Sequence, residues 1–375
     1  MNFEALTRYL DRLPERGIPG GEMRVWVDHR EVYSRTFGLN RGKPLDGWER
    51  YWLYSASKVI CMTAGVQLIE RGVIGLDDPI STYLPAYARL TVNDRGVVRP
   101  AKTVMTVRHA MSMCCGLDYD MDTPAIRACL EKYGRAATTV QLAECFPDKP
   151  LLFDPGAHYQ YSLGHDVMAA VIEVASGMTY GEFCQKNIFD PLGMLHMTFH
   201  PTEQDFAAIA DAWRWDDEGQ LEPVDPRAQR FLLSDRYESG GAGLMGTPES
   251  YILLADALAN GGVGRSGARI LKPESIDLMR TNQLSGPTLR SFVQKMVNGR
   301  LGYGYGLGVR TLINNERTPA PLGEFGWDGA AGSYVTISPE RHVAAFYAQH
   351  VLNCNLGFNE IHPAVRDLVY AGIDA

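Results

Sequence analysis

Strand-like segments lie at the two ends of this chain, and helix-like segments fill the stretch between them. Residues 23–27 alternate apolar and polar side chains, and the alternation resumes at 31–33 after a turn, which predicts a hairpin. Further strands are predicted at 307–313, 332–337 and 342–348. These segments pair most simply as one antiparallel sheet. The predicted fold class is therefore α/β (α+β): a sheet built from both termini and flanked by helices, with an inserted, mainly helical domain.

Proline, loops and helical periodicity replace the alternation between about residue 76 and residue 235. We therefore expect a sheet domain at 1–75 and 236–375 and a helical domain at 76–235, with the ligand site in the cleft between them. Helical patterns recur along the chain, at 1–12, from Ser55 to a stop at Gly72, and at 165–176, 180–189 (ending before Pro191), 248–258, 273–279 and 363–370.

Charge and composition exclude several classes of function. The 375 residues carry a formal net charge of -8 without a basic block, which argues against nucleic acid or an anionic membrane as partner. No apolar run is long enough to span a bilayer, and the polar, amphipathic start lacks a secretion signal, so we expect a cytoplasmic protein. The nine histidines form no ligand motif, so no metal and no cofactor are expected. The seven scattered cysteines indicate reduced, buried thiols.

Ser55 and Lys58 form a pair that can carry chemistry. They belong to Tyr54-Ser55-Ala56-Ser57-Lys58, directly before an apolar helical pattern, and Ser-x-x-Lys occurs once in the chain. Positions three apart share a helix face, so the amine can reach the hydroxyl and take its proton. The alternative is structural, because serine is a common helix cap and lysine a common solvated helix residue. The free N–H groups of a helix start favour the catalytic interpretation.

The surroundings of this pair resemble the serine β-lactamase and penicillin-binding superfamily, in particular its class C β-lactamase, esterase and D-peptidase branch. The likeness spans nearly the whole chain. Its landmarks follow one order: Gly38, Ser55-Ala56-Ser57-Lys58, Gly75-Leu76-Asp77-Asp78-Pro79, Tyr83-Leu84-Pro85, Thr106-Val107-Arg108-His109, Gly116-Leu117, Pro155-Gly156, Tyr161-Ser162, Pro191-Leu192-Gly193-Met194 and Thr198. The resemblance implies an α/β domain built from both termini with a helical domain between, and Ser55 and Lys58 as nucleophile and base.

The resemblance also assigns a catalytic phenol. The family's Tyr-x-Asn element matches Tyr161-Ser162-Leu163, which implies that Tyr161 relays a proton to the leaving group. A free phenol titrates near 10, so this role calls for a lowered pKa or a hydrogen bond shared with Lys58. The alternative is that Tyr161 only packs at the cleft. Leu163 stands at the substrate-binding position where the family has asparagine, and it lacks the amide that would hold a β-lactam side chain.

A third family element implies the oxyanion hole and further substrate contacts. The family's Lys-Thr-Gly or His-Thr-Gly matches Trp327-Asp328-Gly329. Tryptophan has no charge and Asp328 opposes an anion, so a substrate carboxylate loses a partner typically worth about 1.5–3 kcal/mol. Gly329 lets the strand approach the acyl group closely. The backbone N–H groups of Ser55 and Ala330 would stabilise the oxyanion. The alternative for Trp327 is a core aromatic.

These features predict a carboxylesterase-like serine hydrolase that forms a Ser55 acyl-enzyme with ester or amide bonds of small molecules. One alternative is a β-lactamase or D-amino-acid peptidase such as a DD-carboxypeptidase. Another is a penicillin-binding sensor or scaffold that is acylated without turnover. The cleft depends on loops at 119–150 and 282–300, whose conformation does not follow from their sequence, and the oligomeric state is open.

Overall fold

A computed structural model describes residues 1–295 and 300–375 of the chain. Its α-helices are α1 Glu4–Asp11, α2 Ser57–Glu70, α3 Val107–Met111, α4 Pro124–Tyr133, α5 Thr139–Ala143, α6 Gly164–Ser176, α7 Tyr180–Cys184, α8 Asp190–Leu192, α9 Glu203–Ala207, α10 Pro248–Ala259, α11 Pro273–Arg280, α12 Gly286–Lys295 and α13 His362–Asp374. Its strands are β1 Gly20–Val27, β2 Arg30–Asn40, β3 Lys43–Pro44, β4 Tyr51–Trp52, β5 Thr91–Asp94, β6 Val97–Pro100, β7 Ala212–Trp215, β8 Leu221–Val224, β9 Met245–Gly246, β10 Tyr303–Tyr305, β11 Arg310–Leu312, β12 Phe325–Gly326, β13 Tyr334–Ser338, β14 Val343–Gln349 and β15 Val351–Leu352.

Strands from both ends of the chain form one antiparallel sheet, as predicted. Among the described residues it has eight strands in the order β10-β11-β12-β13-β14-β1-β2-β3, so the first strand of the chain lies beside one of the last. The β1–β2 hairpin turns at Asp28 and His29, whose φ angles of 47° and 64° suit the two-residue turns that follow the twist of the strands. Helix α10 packs against β1, β13 and β14. The predicted fold class is confirmed.

Helix α2 connects this sheet to the helical region. It packs against α6 and α11, and every side chain from Ser57 to Leu68 is buried. A helix that is covered on all sides belongs to the core. Because α2 begins next to Ser55, the candidate nucleophile lies at the edge of a helix that is almost entirely buried.

The region 76–235 is mainly helical and contains two small hairpins, β5–β6 and β7–β8. The domain bounds proposed above stay a prediction. The helix that begins at Tyr180 does not end before Pro191, so that prediction is wrong. It continues through a π-helical segment, Gln185–Phe189, and through α8, which Gly193 terminates at a φ of 72°. Pro191 thus lies inside the continuous helix, directly after Asp190, and not beyond the end of the helix.

Three further expectations concern loops, thiols and membranes. Part of the loop expected at 282–300 is helix α12, and residues 296–299 lie outside the described residues. The seven cysteines are free thiols, all buried except the half-buried Cys145. Within 1–295 and 300–375, no helix is both long and apolar enough to cross a bilayer.

Candidate active site

Ser55 lies in a short 3₁₀ helix, Tyr54–Ala56, that leads directly into α2. Its position at a helix start leaves its N–H without an intrahelical acceptor. The residue before it, Tyr54, has a φ of 45°, a conformation that costs energy for a residue with a side chain. The half-buried serine is therefore presented on a locally strained turn, which is common at reactive sites.

Lys58 is fully buried and its amine contacts three oxygen atoms. Its Nζ donates hydrogen bonds to Ser55 Oγ at 3.1 Å, to Tyr119 OH at 3.1 Å and to the Gly241 carbonyl at 2.6 Å. All three acceptors are neutral groups. The amine is thus held within proton-transfer distance of the serine hydroxyl, as the spacing of the pair predicted.

Tyr119 is the site residue that sequence reasoning missed. It follows the Gly116-Leu117 landmark in the loop whose conformation could not be derived, and nothing local distinguishes it from the other tyrosines. Burial raises the pKa of the Tyr119 phenol well above its usual value, and the nearby Asp166 and Tyr161 raise it further. Tyr119 therefore offers Lys58 a neutral phenol. The landmark just before it was the one available signal.

Tyr161 lies beside the Ser55–Lys58 pair, with its hydroxyl turned to Trp327. Its OH accepts a hydrogen bond from Trp327 Nε1 at 3.2 Å, and Lys58 Nζ lies over its ring, 4.6 Å from the centroid. The hydrogen bond to lysine expected for Tyr161 is made by Tyr119 instead. Tyr161 still contacts the amine through its ring face, which attracts cations. Its catalytic role stays a prediction.

An aromatic stack forms one wall of the site. Tyr161 lies between Tyr119, at 5.5 Å between ring centroids, and Trp327, at 5.7 Å, and both pairs are stacked. The Arg300 guanidinium lies over the Trp327 ring, 4.5 Å from the ring centroid. Trp327 itself is 1 % exposed. This burial fits the core role that the sequence left open, and contact of Trp327 with substrate stays a prediction.

The negative charge of Asp328 is balanced by Arg300, which the residues next to Asp328 in the sequence do not predict. Arg300 binds both of its carboxylate oxygens, and His362 Nδ1 lies 3.8 Å from Oδ2. Burial alone would raise the pKa of Asp328, but the charge of Arg300 and the His362 hydrogen bond outweigh it and hold the pKa well below its usual value. The expected repulsion of an anionic substrate by Asp328 is accordingly reduced.

Gly329 brings the third element against the chain segment that leads to Ser55. A Cβ at this position would lie 2.3 Å from the Leu53 carbonyl oxygen and 2.3 Å from Ser333 Oγ, so only glycine fits. The next residue, Ala330, is exposed in a turn closed by a 2.9 Å bond from Gly332 N to Gly329 O. Over residues 1–295 and 300–375 the Ala330 N–H has no acceptor, which suits the oxyanion-hole role predicted for it.

Leu163 directly precedes helix α6 and is 2 % exposed. Its side chain packs in the main hydrophobic core, and its N–H donates to the Asp118 carbonyl at 3.0 Å. The predicted contact with substrate stays a prediction. Leucine at this position supplies no side-chain amide.

The chain is similar to known proteins in sequence and in fold. The family model described as Beta-lactamase matches residues 6–366. The chain is 26% identical over 358 residues to "Acyltransferase calJ" of Penicillium decumbens, covering 87% of this chain and 82% of the relative. It is 29% identical over 314 residues to "Lovastatin esterase" of Penicillium rubens, covering 76% and 75%. The solved structure of EstCE1, "a hydrolase with promiscuous acyltransferase activity", has a similar fold, with a TM-score of 0.79, 24% identity and 98% of both chains covered.

Proposed function

The chain belongs to the Beta-lactamase family, and from this premise we propose that it is an esterase-like serine hydrolase with Ser55 as nucleophile and Lys58 as its base. One observation carries the proposal: Lys58 Nζ lies 3.1 Å from Ser55 Oγ and donates to neutral oxygens. An amine that is not tied to a carboxylate can lose its proton and then accept one from the hydroxyl.

The first half of the reaction forms the acyl-enzyme. Lys58 Nζ takes the proton of Ser55 Oγ while Oγ bonds to the carbonyl carbon of an ester. The carbonyl oxygen becomes an oxyanion, which the N–H groups of Ser55 and Ala330 stabilise. When the oxyanion collapses, the bond to the alcohol oxygen breaks, and that oxygen receives the proton held by Lys58.

Two phenols extend the route of this proton. Tyr119, hydrogen-bonded to Lys58, and Tyr161, next to it in the stack, both lie at the amine. In the second half-reaction water takes the place of the alcohol. It gives a proton to the same group of Lys58 and tyrosine, attacks the acyl carbon and releases the carboxylic acid with Ser55 restored.

The substrate class follows from what surrounds the pair. Trp327 and Leu163 replace the cation and the amide that the β-lactam-binding relatives would use, while the stack of Tyr119, Tyr161 and Trp327 offers an apolar wall. Small neutral or hydrophobic acyl groups suit such a wall better than a bicyclic carboxylate does. An ester is therefore a better substrate candidate than a β-lactam antibiotic.

Transfer of the acyl group to an alcohol is a second candidate, because relatives of this chain are named acyltransferases. Hydrolysis and transfer share the same acyl-enzyme and differ in whether water or an alcohol attacks it. Adding a small alcohol during turnover of an ester separates the two outcomes, since transfer appears as a new ester product and hydrolysis only as acid.

The test of the proposal compares wild type with Ser55→Ala on p-nitrophenyl acetate and on a cephalosporin. We expect ester turnover by the wild type, an acyl adduct on Ser55 by intact-mass spectrometry, and a loss of at least about 10³-fold in Ser55→Ala with unchanged unfolding. Undiminished turnover by Ser55→Ala contradicts the proposal. A strong preference for the cephalosporin favours the β-lactamase alternative, and a persistent adduct without turnover favours the sensor.

A further inference from the structure

A buried carboxylate lies behind the Gly241 carbonyl that accepts a hydrogen bond from Lys58. Asp166, in α6, is fully buried. Its Oδ1 accepts from Tyr237 OH at 2.8 Å, from Ser239 Oγ at 2.5 Å and from Gly241 N at 3.5 Å. All three donors belong to one short segment, 237–241. Asp166 therefore holds the segment that brings the Gly241 carbonyl to 2.6 Å from Lys58 Nζ.

Gly241 is packed between this carboxylate and the phenol that contacts Lys58. A Cβ on Gly241 would lie 2.6 Å from Asp166 Oδ2 and 2.9 Å from Tyr119 OH. In the described part of the chain, Asp166 Oδ2 has no hydrogen-bond partner. A buried carboxylate with one unsatisfied oxygen is costly unless a cation lies nearby. The position of this oxygen is thus better explained by the chemistry of the neighbouring lysine than by the stability of the fold.

The charges around Asp166 identify that cation. Several titratable groups interact electrostatically with Asp166, and they lie on α2 and in the surrounding loops. These groups are Lys58, Cys61, Tyr87, Tyr119 and Tyr237. The imidazole of His165 is adjacent to Asp166 in α6. Of these Lys58 is the cation, because burial lowers the pKa of His165 to about 3 and keeps that imidazole neutral. Burial raises the pKa of Asp166, and the Ser239 hydrogen bond and the Lys58 charge oppose that rise.

We propose that Asp166 is a positioning residue for the Ser55–Lys58 pair. It fixes the segment 237–241 so that the Gly241 carbonyl orients the amine, and its negative charge stabilises the ammonium formed when Lys58 takes the serine proton. In that step the Oγ–H bond breaks, an Nζ–H bond forms, and Oγ bonds to the acyl carbon; Asp166 exchanges no proton. This inference rests on the proposed function and adds to it a residue that touches neither Ser55 nor substrate.

Asp166→Asn tests the proposal, because asparagine keeps an acceptor for the three donors and removes the charge. The readout is the rate at which a p-nitrophenyl methylphosphonate labels Ser55, followed by nitrophenolate release and intact mass from pH 5 to pH 9. We expect labelling slower by at least about 10-fold. The midpoint of the rising limb should fall by about half a pH unit or more, since the ammonium form has lost its anion.

Asp256→Asn is the matched control, because Asp256 is also fully buried but is bound to His29, 2.7 Å away, on another element. It should lose stability without moving the midpoint. If Asp166→Asn does not fold, Ser239→Ala decides, since it removes one donor to the carboxylate; we expect a smaller fall of the midpoint in the same direction.

The outcomes separate the inference from the proposed function. A wild type that is not labelled at Ser55 at any pH contradicts the proposed function, and the inference with it. If the wild type is labelled but the midpoint of its rate profile is the same in Asp166→Asn, the inference alone is contradicted. The same holds for Ser239→Ala where that variant decides. Asp166 is then a structural residue.

Discussion

Two buried basic residues, Lys58 at the cleft and Arg310 in the sheet, are satisfied in opposite ways. Lys58 Nζ contacts a hydroxyl, a phenol and a backbone carbonyl. Arg310 donates to Glu324 Oε1 at 3.3 Å and to the Val335 carbonyl at 2.7 Å. Glu324 in turn accepts hydrogen bonds from Tyr303 and Thr336. Both side chains are almost completely buried, so burial alone does not separate chemistry from architecture.

The difference lies in the formal charge of the partners. A guanidinium paired with a carboxylate inside the protein is fixed, because removing either partner leaves an uncompensated charge in a medium of low polarity. An amine surrounded by neutral oxygens keeps its geometry whether or not it carries the extra proton. The partners of Lys58 therefore allow proton exchange, and those of Arg310 hold β11 to its neighbours.

Lys58→Met is the change with the largest expected effect and addresses the first half of the comparison. We expect ester hydrolysis to fall by at least about 10³-fold, since the base is lost. The free energy of unfolding should fall by less than for the loss of a directly paired charge, about 1–3 kcal/mol, because methionine removes the hydrogen bond to the Gly241 carbonyl and the charge that acts on Asp166. Kinetics with p-nitrophenyl acetate and urea unfolding measure the two quantities. A loss of folding with intact specific activity would reverse the assignment.

Arg310→Met should give the opposite result. The variant leaves Glu324 without its cation, so we expect a loss of about 3–5 kcal/mol in the free energy of unfolding. The kcat of the folded fraction should stay within about twofold of the wild-type value. The matched double variant, Arg310→Met with Glu324→Gln, should recover much of the stability because no unpaired charge remains. If the single and double variants are equally destabilised, the pair contributes through packing. The claim that its charged partner fixes Arg310 is then contradicted.

Glu22→Gln extends the comparison to a buried carboxylate whose ion pair with Arg24 only partly offsets its burial. Burial raises the pKa of Glu22 to about 7, although its partner Arg24 opposes the shift. Since the folded-state pKa lies above the usual value of about 4.3, the stability contribution is complete below about pH 4 and is lost as pH rises through about 7. Wild type should therefore lose roughly 1–3 kcal/mol more than Glu22→Gln between pH 5 and pH 8. Chemical denaturation at both pH values checks this, and parallel pH profiles contradict it.

Local rules predicted the parts of this protein that depend on near neighbours. The β1–β2 turn follows from residues that tolerate positive φ, and the reach from Lys58 to Ser55 follows from helical spacing. The sheet built from both termini follows from where alternation occurs. The overrun of the helix through Pro191 does not, because a π-helical segment shifts the register in a way that local preference does not encode.

Spacing over a few residues and periodicity were enough to predict the Ser55–Lys58 pair, the family and the pairing of the two chain ends. The contacts of the Lys58 amine follow only from the packing of distant elements. Tyr119 and Gly241 reach Lys58 from 61 and 183 residues away, and Arg300 reaches Asp328 from 28 residues away. Contacts across such separations depend on how packed elements meet, and composition and periodicity carry no information about that meeting.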